Sequence, residues 1–162
     1  RGRGESKYGI RSRTKVVFLE IISNPTLEII DLATVSEIAH RKGALVIVDN
    51  VFTTPVFSLA ASLGADVIIY SATKHIDGQG RCLGGVICGT EKFIQNVVLP
   101  FMKHTGGSLS PFNAWILLKS LETINLRCRT QAESALKIAK SLEKHPKIKN
   151  ITYPYLKSHS QY

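Results

Sequence analysis

With 162 residues, 44% of them apolar and 20% charged, the chain has enough material for one globular domain and too many hydrophobic residues to be disordered. The formal charge is +9, but Arg1, Arg3, Lys7, Arg11, Arg13 and Lys15 against Glu5 place +5 of it in residues 1–15, and that arm has one aromatic, Tyr8, and no recognition motif after it, which argues against a nucleic-acid binder. No apolar run has the length of a membrane span, and the odd set Cys82, Cys88 and Cys128 lacks both metal-ligand spacing and the even count of a disulfide framework, so a chain that stays off membranes in a reducing cytoplasm is expected.

Residues 15–22 are apolar and β-branched and predict a strand, ended by Ser23-Asn24-Pro25-Thr26. Asp31 is placed to cap a helix over 32–42, which Gly43 closes. A second strand is predicted at 44–48, running into Asp49-Asn50; Thr53-Thr54-Pro55 then opens a helix to Leu63, and Gly64 closes it. The third strand, at 65–70, leads directly into Ser71-Ala72-Thr73-Lys74. A polar loop from His75 to Arg81 follows, then a short strand at 84–89, a helical region from Glu91 towards Lys103 and an interruption at 104–108. Pro111 starts a helix, an amphipathic pattern runs over 124–142 until His145-Pro146 stops it, and 148–153 reads as a further strand limited by Pro154.

Apolar strands joined by helices of about ten residues are βαβ units, so the expected fold class is α/β, a mostly parallel sheet flanked by helices. The expected division is a basic, poorly ordered segment at 1–14, an α/β domain at 15–110, a long helical connection at 111–147 and the start of another domain at 148–162. Because the single methionine is Met102 and Tyr162 follows a turn-like segment, the chain reads as cut at both ends.

Chemistry-bearing residues fall where such sheets bind ligands, at the carboxyl ends of the strands. Asn24, Asp49, Ser71, Thr73 and Lys74 all lie at or just beyond predicted strand ends. A lysine there can form a Schiff base with pyridoxal 5'-phosphate (PLP), hydroxyls can hold the phosphate, and an aspartate can keep the pyridine nitrogen protonated as an electron sink. Taken one at a time, Lys74 suits a surface lysine, Asp49 a helix cap, and Ser71, Thr73 and Asn24 ordinary turn residues. Their combination carries the reading. A nucleotide-binding α/β domain is a weaker alternative, since Ser23-Asn24-Pro25-Thr26 replaces a glycine-rich loop after the first strand.

The run Glu20-Ile21-Ile22-Ser23-Asn24-Pro25-Thr26, then Val48-Asp49-Asn50-Val51-Phe52, then Tyr70-Ser71-Ala72-Thr73-Lys74-His75-Ile76-Asp77-Gly78-Gln79-Gly80-Arg81 resembles the Cys/Met-metabolism PLP-dependent enzymes of fold type I. Segments from Phe112 to Thr123 and from Tyr153 to His159 extend the resemblance. It implies part of the large PLP-binding domain, with Lys74 as nucleophile, Asp49 at the ring nitrogen, Ser71 and Thr73 on the phosphate, and Asn24 near the cofactor's phenolic oxygen and the substrate carboxylate. The form of the loop from His75 to Arg81 is similar to that of the O-succinylhomoserine sulfhydrylase branch. That branch exchanges an activated homoserine ester, succinyl or acetyl, for sulfide and yields homocysteine for methionine synthesis, in dimer-based tetramers. Cystathionine γ-synthases or lyases are the alternative within the family, and a catalytically incompetent truncated chain is the alternative outside it. Ile22 departs from the family, which usually has proline there, and the upstream phosphate loop, stacking aromatic and substrate-gripping arginine lie outside this chain.

Overall fold

Residues 8–162 are described by a computed structural model. Strands β1 (Val16–Glu20), β2 (Leu45–Asp49) and β3 (Val67–Ser71) pair in parallel, and β4 (Gly85–Gly89) completes the order β1-β2-β3-β4 by running antiparallel to β3. This is the mostly parallel α/β sheet that the alternation of strands and helices predicts. The β3–β4 connection holds a tight turn rather than a crossover helix, so the chain returns in the opposite direction.

Register assigns the two faces. Val17, Leu19, Val46, Val48 and Ile68 point to one side, where Val46 and Val48 are fully buried beneath α1 (Leu32–Arg41). The helix starts where Asp31 Oδ1 accepts the Thr34 N–H at 3.1 Å, and it buries Leu32, Val35, Ile38 and Ala39. Burial of each of the Leu32, Val35 and Ile38 side chains stabilises by roughly 1.5–3 kcal/mol. The other side carries Glu20, Asp49 and Ser71 at its carboxyl end. Phe18, on the same side nearer the opposite end, is 61% exposed.

A second core anchors the segment after β3. Ala72, Ile76 and Cys82 pack with Ile116 and Leu117 of the later helix Pro111–Leu121 and with Ile124 and Cys128 of the helix Ile124–Glu143.

Several expectations are corrected. Instead of one helix from Thr53 to Leu63, α2 (Thr54–Phe57) ends at an extended Ser58, and a separate 3-10 turn spans Ala60–Leu63. Asn50 causes the break, because its Nδ2 draws in the Ser58 carbonyl at 3.3 Å. Gly64 does close the region, at φ 96°, where a Cβ would come within 2.6 Å of Ser36 Cβ. The helical region after β4 comprises α3 (Glu91–Phe93), a π segment (Ile94–Val98) and α4 (Leu99–Thr105), so it runs slightly past the predicted limit. Next come α5 (Pro111–Leu121) and α6 (Ile124–Glu143).

Residues 148–153 form no strand, since among the described residues they pair with none and a strand needs a ladder partner. Beyond them the chain folds back: Leu156 is buried, and the Gln161 side-chain amide both accepts from the Ile29 N–H at 2.8 Å and donates to the Ile29 carbonyl at 2.7 Å. Of the basic segment expected at 1–14, residues 1–7 lie outside the described residues; Ile10 is buried in the α1 core with Tyr8 against it. Among the described residues no helix is long and apolar enough to cross a membrane.

Candidate active site

Asp49 is the last residue of β2, opposite Glu20 on β1 and Ile69 on β3. Its Oδ1 accepts the Val51 N–H at 3.0 Å, and among the described residues Oδ2 has no hydrogen bond. Ser71 ends β3 two positions beyond Ile69, hence on the same face as Asp49. Its hydroxyl has no hydrogen bond among the described residues.

Lys74 lies in the π turn Ala72–Ile76 that follows at once, with φ −87° and ψ −114°, well away from helical values. Its side chain is exposed, and Nζ has neither hydrogen bond nor ion pair among the described residues. Thr73 has a different local duty. Gly84 N–H donates to its Oγ1 at 3.1 Å, and that hydroxyl in turn donates to the Gly84 carbonyl at 3.4 Å, fastening the turn to the segment that enters β4. Asn24 stands apart, exposed in the turn after β1, with its backbone N–H donating to Glu20 Oε2 at 2.9 Å and a cis peptide to Pro25. Thus Asp49, Ser71, Thr73 and Lys74 gather at the adjacent ends of β2 and β3, and Asn24 follows the neighbouring strand.

Sequence reasoning assigned no role to the residues that brace this edge. Fully buried Asn50 donates through Nδ2 to Tyr70 Oη at 2.9 Å and to the Thr54 carbonyl at 3.3 Å, and accepts from the Thr53 hydroxyl. Beneath the lysine turn, Asp77 is wholly buried and accepts from the Arg81 backbone N–H at 2.7 Å and Arg81 Nε at 2.9 Å. Burial opposes the charged carboxylate, but the Arg81 hydrogen bonds, a weaker one from Gln79 and the Arg81 charge together hold Asp77 below its ordinary pKa. Arg81 also donates to Ser120 Oγ at 2.6 Å, tying the loop to α5. His75 is held below its ordinary value mainly by burial and further by the nearby Arg127 charge, against an opposing hydrogen bond with Gln131. A signal for Asp77 and Arg81 was present in their i,i+4 spacing of opposite charges, whereas Arg127 reads in sequence as one more cation on an amphipathic helix.

An unpaired amine, a carboxylate oxygen and a hydroxyl at one sheet edge, with the Thr73 hydroxyl beside them on a long 3.4 Å bond to the Gly84 carbonyl, are the kinds of group that PLP binding requires. The chemistry of this donor set fits the cofactor.

Comparison with known proteins agrees. A family model for "Cys/Met metabolism PLP-dependent enzyme" matches residues 3–162. An O-succinylhomoserine sulfhydrylase of Mycobacterium tuberculosis is 50% identical over 149 residues, 92% of this chain and 37% of that protein. Another O-succinylhomoserine sulfhydrylase, of Pseudomonas aeruginosa, is 49% identical over 152 residues, 94% of this chain and 38% of that protein. A canavanine gamma-lyase of Pseudomonas canavaninivorans is 38% identical over 156 residues, 96% of this chain and 39% of that protein. The chain therefore spans less than two-fifths of the length of these relatives. With a turn that presents a lysine between strand ends and a family match over nearly its whole length, this chain belongs to the Cys/Met metabolism PLP-dependent enzyme family.

Proposed function

We propose that the chain is the lysine-bearing part of a PLP-dependent transferase of methionine biosynthesis that converts O-succinylhomoserine or O-acetylhomoserine and sulfide to homocysteine. What carries this reading is the pair of sulfhydrylase relatives at 50% and 49% identity, against 38% for the gamma-lyase. Residues 15–110 would belong to the cofactor-binding domain, 111–147 to a helical connection and 148–162 to the start of the next domain. Homo-oligomeric assembly is part of the same proposal, because the exposed apolar side chains of α5 are available to a second subunit.

In this reading Lys74 would hold the cofactor through its aldehyde carbon, the Asp49 carboxylate would keep the ring nitrogen protonated, and Ser71 and Thr73 would donate to the phosphate. Bound PLP supplies an electron sink for charge developing at the substrate's Cα. The Lys74 amine would take the substrate's Cα proton and assist proton transfer at Cβ, the γ-ester leaving as its carboxylate and sulfide taking its place at Cγ. Asn24, from the turn after β1, would orient the substrate carboxylate.

Addition of PLP to the purified protein, borohydride reduction and peptide mapping should place the pyridoxyl group on Lys74. A label on another lysine, with none on Lys74, would overturn the site. Homocysteine formed from sulfide and either ester supports the proposed chemistry. Elimination that proceeds without incorporating sulfide would move the assignment to the lyases.

A further inference from the structure

Lys74 sits in a turn fastened both by its own backbone and by a side chain from a later helix. Within it the Asp77 N–H donates to the Ala72 carbonyl at 2.8 Å and the Gly78 N–H to the Lys74 carbonyl at 2.7 Å. At Gly78 the chain adopts φ +73° and leaves the helical path, so the carbonyls of His75 and Ile76 lose the N–H donors that a continuing helix would bring. One guanidinium takes both: Arg127 Nη1 donates to the His75 carbonyl at 2.9 Å and Nη2 to the Ile76 carbonyl at 3.0 Å. The same group donates from Nη2 to the Ser120 carbonyl at 3.0 Å and from Nε to Thr123 Oγ1 at 3.1 Å. Arg127 thereby fixes the end of the lysine turn to the α5–α6 junction. Gly78 fits the same arrangement. Its φ of +73° favours glycine, and a Cβ there would stand 1.9 Å from Arg127 Nη1, so a side chain at 78 would displace the guanidinium from the two carbonyls.

We propose that Arg127 is the positioning residue of Lys74, acting through the two carbonyls that follow the lysine and not through contact with substrate or cofactor. This rests on the reading of Lys74 as the cofactor-bonding residue. A planar fork that meets two neighbouring carbonyls at once is a property of arginine; an ammonium at the same place keeps the charge and stem but is a single point donor. Lysine at 127 is therefore expected not to restore the turn.

The test compares the full chain with its Arg127→Ala and Arg127→Lys variants by two readouts. The first is amide hydrogen exchange at Asp77 and Gly78, with the β2 amides as the internal standard for global folding. The second is the rate at which a pyridoxyl group is trapped on Lys74 by borohydride after PLP is added. Both variants should exchange faster at Asp77 and Gly78 and be trapped more slowly, each by about tenfold or more, as the loss of two charge-assisted hydrogen bonds implies, while β2 protection is unchanged. Exchange and trapping within about twofold of wild type in Arg127→Ala, or full rescue by Arg127→Lys, would overturn the proposal. Arg127→Lys retains the aliphatic stem and its packing, so it decides the matter if the alanine variant loses β2 protection and hence its fold. Trapping on a different lysine in the wild type overturns the reading of Lys74, whereas unchanged exchange overturns the clamp; because exchange needs no cofactor, the two failures are separable.

Discussion

Asp49 commits one carboxylate oxygen to the Val51 N–H and leaves the other directed to no described residue. Asp49→Asn keeps the size and removes the charge, so PLP retention on dialysis should weaken by about tenfold or more, the scale of one charge-assisted hydrogen bond. Retention equal to wild type, read from the visible band, refutes its place at the ring nitrogen. His75 gives a pH signature. Its folded pKa lies below the ordinary 6.5, so the unfolded chain takes up the proton first. The stability that neutral His75 contributes is complete above pH 6.5 and is lost as the pH falls through the lower folded value. Urea midpoints should therefore drop more between pH 7.5 and about pH 5 in wild type than in His75→Gln; equal drops would remove His75 as the cause. At this scale the sequence exposes residues whose chemistry and strand-end position coincide, such as Asp49, Ser71 and Lys74. Arg127 stays hidden because its partners are backbone carbonyls, which carry no residue identity, more than fifty positions away.

Strand and helix identity was legible wherever apolar period and punctuation agreed, as in Asp31, α1 and Gly43. It failed where a tertiary hydrogen bond overrode local preference. Residues 53–63 contain a helical start and a glycine stop, yet Asn50 takes the Ser58 carbonyl between them and splits the element. Asn50→Ala should leave Tyr70 Oη and Thr53 Oγ1 without that partner and cost about 1–3 kcal/mol, seen as a lower denaturant midpoint. An unchanged midpoint would show that Asn50 is not the brace between β2 and β3. Residues 148–153 failed for the converse reason: their β-branched pattern is compatible with a strand, but no neighbouring strand edge receives them among the described residues. The reversal at β4 was equally illegible, since its direction follows from the shape of the lysine turn and not from any periodicity.

Across the whole molecule, apolar surface is left in the open on both the sheet and the helices. Phe18 is 61% exposed and Leu118 62% exposed, far from the pattern of a self-sufficient core. The isolated chain should associate as its concentration rises, and Phe18→Lys combined with Leu118→Lys should shift its sedimentation towards monomer. A monomer at every concentration in the unmodified chain would show that these faces attract no partner. The fold class and the strand-end cluster could be read from sequence because both are set by order along the chain. How much surface remains uncovered could not, because it depends on which faces meet in three dimensions.

The pairing of Gln161 with Ile29 joins positions 132 residues apart. During synthesis the segment around Ile29 must wait for the 132 residues up to Gln161 to be made before that backbone N–H and carbonyl gain their partner. At about 5–20 residues per second the delay is of the order of ten seconds, an interval in which the β1–α1 connection has to stay clear of other chains without its final cover.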